Sequence, residues 1–544
     1  MKTTGMQAQG MNTQEPAKPQ QTDTTGRSTY RFSEAPIWEL QRQYYEKFGL
    51  DAWRNDQVPQ YITSNPMIGT AYADILFGML QDLAARGRTD EPVVVVELGA
   101  GAGRFAGQVL HSLGELIAYA GEDIKLPPYR YIMTDLAADN VAGWQRHPVL
   151  APHVAAGRLD FARFDVVRDT ELRLAVSGET IRPGELNQPL LIIANYLFDS
   201  LPQELLYIGE GQIYECDVEI EAPDADGALS SADALAAIRM SYVNRRAPEY
   251  DRPDYPYRGV IDLYRQELED SHVLFPEEAL RCLERLHALS SAGFVLITAD
   301  KGDHLTDDWR FAEPPNLVLH GGSFSLTANY HAINRAYEER GALALFPEHH
   351  YKNLNVGCLL MLENPGGFVN AKLAYRRSVE RFGPDDFFSL KLWMDRSLEF
   401  LGMQQVLAFW RLGRYDAEWF IQSAKRISEL LPEASDEEKL DIELGIRRMW
   451  AAYYEMPQRY DLALDVGMLL FEMDRMGDAR LFLERSVAEA QEEPDPMVYY
   501  CLAICCLEQE EEERAASYLR LALKQEPDHP EANELLDALT NKEE

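Results

Sequence analysis

The sequence predicts an α/β domain built on a largely parallel sheet, followed by an all-α domain of helical repeats. Three observations predict it. Short apolar runs rich in β-branched and aromatic residues alternate with helix-like stretches from residue 93 to about residue 363. Strand signals stop after "RFGPDD", and the helical remainder repeats itself at a displacement of 36 residues, from Gly467 to Ala503.

The first residues, "MKTTGMQAQGMNTQEPAKPQQTDTTGRS", are rich in Gln, Thr, Gly and Pro and have no apolar run of signal-peptide length. They are expected as a disordered tail over 1–28. From about 34 to 88 the pattern is helical, with apolar residues three and four apart in "PIWELQRQYYEKFG" and "IGTAYADILFGMLQDLAARG" and the irregular "RNDQVPQYITSNP" between them. Five runs then read as strands: "PVVVVEL", "YRYIMTD", "LDFARFD", "PLLIIANYL" and "GFVLITAD". Their alternation with helices is that of βαβ units covered on both faces. "GALALFPE" and "VGCLLMLEN" predict an antiparallel pair closing the sheet at its edge. Residues 203–290 interrupt the alternation with a predicted hairpin in "ELLYIGEGQIYECDVEI". An insertion after the fourth strand lies at the carboxyl edge, where open α/β sheets bind ligands, so it is expected as a substrate-side cap. The expected boundaries are 29–370 for the α/β domain and 385–544 for the repeats.

In the repeats, Tyr499, Leu502, Ala503, Cys506, Ala515, Leu519, Ala522 and Pro527 fall at the spacings of a tetratricopeptide (TPR) helix pair. Gly467, Ala479, Leu483 and Ser486 occupy corresponding places one copy earlier, and a fainter third copy takes in Ala417, Ile421 and Ala424. Such units bury a face only against their neighbours, which predicts a short TPR-like solenoid with a surface for a protein or peptide partner. The bland alternative is an irregular helical bundle.

Lys and Arg total 52 against 89 Asp and Glu, a net charge of −37. That balance repels phosphate backbones, so no nucleic-acid partner is expected. No run reaches the roughly 20 apolar residues of a membrane helix, and no membrane partner is expected. The six cysteines lack the paired spacing of a disulfide framework or a zinc site. A reducing, cytoplasmic location and no metal follow as expectations; Cys501, Cys505 and Cys506 read as small packing residues of one amphipathic helix.

The stretch "VVVVELGAGAGRFAG" describes a strand running into a tight turn that holds a ligand. A Walker loop needs a Gly-Lys-Ser or Gly-Lys-Thr, and residues 99–106 contain no lysine. A dinucleotide turn needs glycines at its first, third and sixth positions, and the sixth is Arg104. Gly99, Gly101 and Gly103 after the acid Glu97 suit a zwitterion better than a polyanion. S-adenosylmethionine, with its sulfonium, amino group and carboxylate, is such a ligand. Glu97 is placed to accommodate the cationic end, the glycines let the backbone approach, Asp135 ends the second strand where ribose hydroxyls need an acceptor, and Asp165 ends the third where a carboxylate meets an adenine amino group.

With these residues assembled, the chain resembles the class I S-adenosylmethionine-dependent methyltransferases, and within them the MidA-like family, which includes the mitochondrial complex I assembly arginine methyltransferase. "YITSNPMIG", "VELGAGAGRFA" and "ANYLFDSLP" carry the resemblance, with a fainter match in "SLTANYHAINRAYEERG". It covers roughly residues 34–363 and implies a Rossmann-like, seven-stranded class I methyltransferase sheet. It also implies cofactor binding by Gly99, Gly101 and Gly103, Asn195 and Asp199 at the reacting centre, and Thr63 and Ser64 near its mouth. Tyr196 stands where the family signature has a glutamate, one carboxylate fewer for a guanidinium, with Asp199 and Glu204 left as acids nearby. Three functions follow as expectations. The first is methylation of a protein nitrogen, arginine included, with the repeats recruiting the acceptor. The second is a methyltransferase-fold scaffold without catalysis, and the third methylation of a small molecule. His331 is read as a base or a substrate contact, or as a helix cap or surface residue.

Overall fold

The six residues Val93–Leu98 are all buried, as a strand covered on both faces requires, and they form β1. The structure, a computed structural model, describes residues 21–22, 28–53, 61–121, 123–221, 232–456, 460–490 and 492–540. They fall into two units: the described residues within Met1–Ser64, Ala71–Ala106 and Ser112–Asp385, and those within Asn65–Thr70, Gly107–His111 and Asp386–Glu544.

In the first unit β1 sits inside a seven-stranded sheet with β2 (Tyr129–Asp135), β3 (Leu159–Arg163), β4 (Leu190–Asn195), β5 (Phe294–Asp300), β6 (Leu343–Leu345) and β7 (Asn355–Met361). The strand order is β6-β7-β5-β4-β1-β2-β3. The pairs from β5 through β4, β1 and β2 to β3 are parallel, whereas β7 runs antiparallel to both β5 and β6. Both the parallel body and the antiparallel edge thus follow the hydrophobic runs. Val94, Val96, Ile132, Ile192 and Leu296 belong to one buried core cluster, and burying each such side chain contributes about 1.5–3 kcal/mol. Because β2 lies on one side of β1 and β4 on the other, the chain reverses its winding there, and a crevice opens beyond the carboxyl ends of β1 and β4.

Residues 203–290 build much of a second, antiparallel sheet. Glu204–Gly209 and Gln212–Glu221 are the expected hairpin, joined at Glu210 and Gly211, whose φ values of 53° and 64° suit a two-residue turn. Arg239–Arg246 and Ser271–Phe275 pair into the same sheet. So does Ser28–Arg31, which in turn pairs with Gln21–Thr22. Residues 21, 22 and 28 had been expected in the tail; the rest of 1–28 lies outside the described residues. Helix α1 (Pro36–Phe48) starts with proline in its first turn and buries Ile37, Trp38 and Gln41. Helix α2 (Arg104–Ala120) leaves the glycine turn directly.

The second unit is helical where described, with Ala417–Leu430, Asp436–Ala452, Leu462–Glu472, Met476–Glu489, Pro496–Glu508, Glu512–Gln525 and Pro530–Thr540 in succession. Side chains of Asp416, Ser435, Asp461 and Asp495 cap four of these helices. Each cap of this kind is worth about 1 kcal/mol. Gly467, Ala479, Leu483, Ser486, Tyr499, Leu502, Ala503, Cys506, Ala515, Leu519 and Ala522 are all buried, so the 36-residue displacement marks interior positions. The third copy falls elsewhere: Ala417, Ile421 and Ala424 are half-buried, while Trp419, Phe420, Ser423 and Ile427 take the interior because aromatic bulk fills it better. Among the described residues no helix is long and apolar enough to cross a membrane.

Candidate functional site

A cleft of about 300 Å³ lies where the crevice is expected. Its wall includes Glu97, Gly99, Gly101 and Gly103 after β1, Asp135 after β2, Asp165 after β3 and Asn195 at the end of β4. Seven of the eight residues that the sequence assigns to the cofactor or the reacting centre therefore meet at one place, all but Asp199, and Thr63 and Ser64 join them. Asp199 does not line the cleft.

The turn takes its shape from the glycines. Gly99, Gly101 and Gly103 have φ of 64°, 53° and 83°, a region in which any Cβ is strained. The turn is pinned from several sides. The Ala100 amide donates to the Thr134 carbonyl at 2.9 Å. The Gly101 amide donates to Asp135 Oδ2 at 3.0 Å, and the Trp144 indole donates to the Gly101 carbonyl at 3.0 Å. Asp135 thus holds the turn as well as facing the cleft, and its other oxygen accepts the Ala137 amide at 2.9 Å. Burial pushes its carboxyl up against these hydrogen bonds.

Glu97 is buried and accepts the Tyr131 hydroxyl at 2.9 Å. Burial pushes its pKa up to about 8, with the Tyr131 hydrogen bond opposing. A cation in the cleft would draw the proton off. Asp165 is committed differently: Oδ1 accepts the Val167 amide at 3.0 Å and Oδ2 pairs with Arg42 of α1 at 2.8 Å.

Asn195 is oriented by Tyr72, whose hydroxyl donates to Oδ1 at 2.7 Å. Its Nδ2 is buried without a hydrogen-bond partner among the described residues. Such a donor costs stability unless something accepts from it. Tyr196, next in sequence and on the wall, has φ of 49°, uncommon for a bulky residue. Asp199 is buried, accepts the Ser200 hydroxyl at 2.8 Å and donates its amide to Asp300 Oδ2 at 3.2 Å. Burial, with the Asp199 charge, pushes the Asp300 carboxyl up.

Several residues of the wall were not singled out from sequence. Trp38, Gln41, Arg42 and Tyr45 come from α1, which closes one side of the cleft. Gln41 Nε2 donates to the Ser200 carbonyl at 3.0 Å and its Oε1 accepts the Phe324 amide at 2.8 Å, tying α1 to two distant segments. The helical spacing of α1 announced a buried face but not what it covers. Asp300 was legible in principle, since "LITAD" ends a buried strand in an acid just as "YIMTD" does. His331 and Glu204 lie off the cleft: His331 bridges Thr306 and Tyr264 in the interior, and Glu204 pairs with Arg31 and Ser33. Burial lowers the His331 pKa to about 4.

The donor set fits a zwitterionic nucleoside. The glycines leave room for close approach, acids ring one part of the cleft, and Nδ2 of Asn195 waits for an acceptor. Among curated proteins none matches the chain. Among solved structures, an uncharacterised superfamily protein from Burkholderia thailandensis is 16% identical with a TM-score of 0.40, covering 62% of this chain and 90% of that one. A member of the same superfamily from that organism, bound to S-adenosylhomocysteine, is 17% identical with a TM-score of 0.37, covering 58% and 74%. An O-methyltransferase family protein from the same organism is 10% identical with a TM-score of 0.24, covering 61% and 74%. Residues 75–304, which carry β1 to β5 and the turn, match the model of an S-adenosylmethionine-dependent family described as "Putative S-adenosyl-L-methionine-dependent methyltransferase".

Proposed function

We propose that the chain is an S-adenosylmethionine-dependent methyltransferase that acts on a protein nitrogen, arginine included, and that its TPR-like helices recruit the acceptor protein. One observation carries the reading. The glycine turn, Glu97, Asp135, Asp165 and the unsatisfied Asn195 amide converge on one cleft at the winding reversal of the sheet. The cofactor, when bound, supplies an electrophilic methyl group. The protein's own work is alignment and exclusion of water. Gly99, Gly101 and Gly103 would admit the cofactor to the backbone, Glu97 and Asp135 would hold its cationic and ribose parts, and Asp165 its base. Asn195, held by Tyr72, offers a fixed donor where the acceptor enters; α1 and Tyr196 shield the cleft. The recruiting role is supported by buried small residues such as Gly467 and Ala503, which let successive helices stack.

A second reading is favoured by Asp199. It is buried against Asp300 rather than lining the cleft, so a nitrogen acceptor meets no carboxylate from it. On that reading the fold is a scaffold without catalysis.

Calorimetric titration of the full chain with S-adenosylmethionine and S-adenosylhomocysteine tests the cofactor site. Micromolar binding lost in Gly101→Arg is expected; binding retained in that variant would overturn the site. Transfer of a labelled methyl group to cellular protein, abolished in Asn195→Ala, separates the enzyme from the scaffold.

A further inference from the structure

Asp199 is kept from the cleft, but the residue after it is not. Ser200 is half-buried on the cleft wall, and its hydroxyl donates to Asp199 Oδ1 at 2.8 Å. Among the described residues nothing donates to Ser200 Oγ, so its lone pairs are left for a group that enters the cleft. Its backbone is fixed on both sides: the amide donates to the Leu197 carbonyl at 3.1 Å, and the carbonyl accepts Gln41 Nε2 at 3.0 Å. Behind it Asp199 and Asp300 are 5% and 0% exposed. Asp300 Oδ2 accepts the Asp199 amide, and its Oδ1 accepts the Lys301 amide at 2.8 Å. The charged and titratable groups that face the pair are Lys301 after β5, Tyr330 of the helix Tyr330–Glu338, Tyr45 of α1, Tyr72, and Tyr196 after β4. Lys301 favours a charged Asp199, while burial keeps the tyrosines protonated across neutral pH.

We propose that Ser200 is a catalytic residue that takes the N–H proton of the acceptor nitrogen while its own hydroxyl proton passes to Asp199, with Asp199 and Asp300 as its positioning residues; this rests on the methyltransferase reading above. In the transfer a carbon–nitrogen bond forms, the carbon–sulfur bond breaks with its electron pair going to sulfur, and one N–H proton leaves the acceptor. Serine alone is a poor base. Tied to a carboxylate it need carry no charge, because one proton arrives as another leaves. Asp199 ends the step as a neutral acid and returns the proton through Ser200 to water once the product has gone. Burial pushes Asp199 up to about 6 and holds Asp300 well above the ordinary range, so at about pH 7.5 the first is mainly ionised and the second keeps a proton. A buried carboxyl pair, which a cationic acceptor does not touch, thereby serves the cleft through one hydroxyl.

The test is the pH profile of labelled methyl transfer by the full chain, from saturating S-adenosylmethionine to the proteins of a cell extract, beside calorimetric titration with S-adenosylhomocysteine. The rate of the unaltered chain is expected to rise with pH through about 6, where Asp199 ionises, and then to level. Ser200→Ala is expected to lower the level rate by about a hundredfold or more, the range of a general base, and to leave S-adenosylhomocysteine affinity within about twofold. Ser200→Thr, which keeps the hydroxyl, is expected to retain most of the rate and the rise near pH 6. Asp199→Asn is expected to lose that rise. An undiminished rate in Ser200→Ala, or a rise near pH 6 that survives in Asp199→Asn, would overturn the inference alone. So would a loss of S-adenosylhomocysteine affinity in Ser200→Ala equal to its loss of rate, which marks a structural role. Absence of transfer by the unaltered chain refutes the methyltransferase reading and the inference with it.

Discussion

The amide of Asp199, four residues beyond β4, donates to Asp300 Oδ2 at 3.2 Å at the end of β5, and both carboxyls are buried. Two buried carboxyls set side by side disfavour a second charge, so one proton is retained between them to higher pH. Burial pushes Asp199 up to about 6, against its hydrogen bonds to Ser200 and Asp300, and burial together with the Asp199 charge pushes Asp300 well above the ordinary range. Carboxyls raised on folding stabilise most fully below their unfolded pKa of about 4, and that contribution fades as pH rises through the folded value. The melting temperature should therefore fall between about pH 4 and about pH 7 more steeply than in Asp300→Asn, which keeps a hydrogen-bonding amide and cannot ionise. Equal slopes in the two proteins would show that the pair does not share a proton.

Glu97 is expected to lose its proton when a cation enters the cleft. With its pKa pushed up to about 8 by burial, it is mostly protonated in the free protein at neutral pH. Titration of S-adenosylhomocysteine near pH 7, repeated in buffers of different ionisation enthalpy, should report release of up to about one proton. Glu97→Gln should bind without that release; identical proton counts would place the cationic group elsewhere.

Gln41 ties α1 to the Ser200 carbonyl and the Phe324 amide, and it is 3% exposed. Gln41→Leu leaves both backbone groups without this partner, at about 1–3 kcal/mol each if no water replaces it. Urea unfolding should show a loss of about 2–6 kcal/mol for the two groups together, and cofactor affinity should drop because α1 forms one wall of the cleft. Undiminished affinity would mean that α1 holds its place through Trp38 and Phe324, whose rings lie 5.1 Å apart.

Gly467 is read as a packing position. A Cβ there would lie 2.7 Å from Leu483 Cδ2 and 3.1 Å from the Leu483 amide nitrogen. Gly467→Val should cost about 1–3 kcal/mol by overpacking. Circular dichroism on heating should show the helical unit melting earlier. An unchanged melt would mean that the two helices separate freely.

Much of this architecture is written in local pattern. The run Val93–Leu98 is apolar enough to be a doubly covered strand, and alternate glycines after it admit the positive φ that a turn requires. Asp135 is legible for the same reason, because a parallel strand delivers its last side chain to the carboxyl edge, whereas Asp165, expected to end the third strand, lies two residues beyond its last residue Arg163 and reaches the cleft from the loop. The 36-residue displacement likewise foretells the buried positions from Gly467 to Ala522. Ser28–Arg31 was less legible, since four residues next to a polar stretch carry no periodicity of their own and gain strand structure from pairing with Gln212–Glu221 and Gln21–Thr22.

Most elements, their order and the turn chemistry are local properties of the chain, because periodicity and backbone sterics act over a few residues. Which side chains share a surface follows from how the folded layers pack. That packing brought Gln41 to Phe324 across 283 positions, turned Asp199 toward Asp300 and away from the cleft, and set Arg104 against Ser64 at the glycine turn. These are long-range hydrogen bonds between buried polar groups, and their partners are chosen by how the layers pack, which no local pattern encodes.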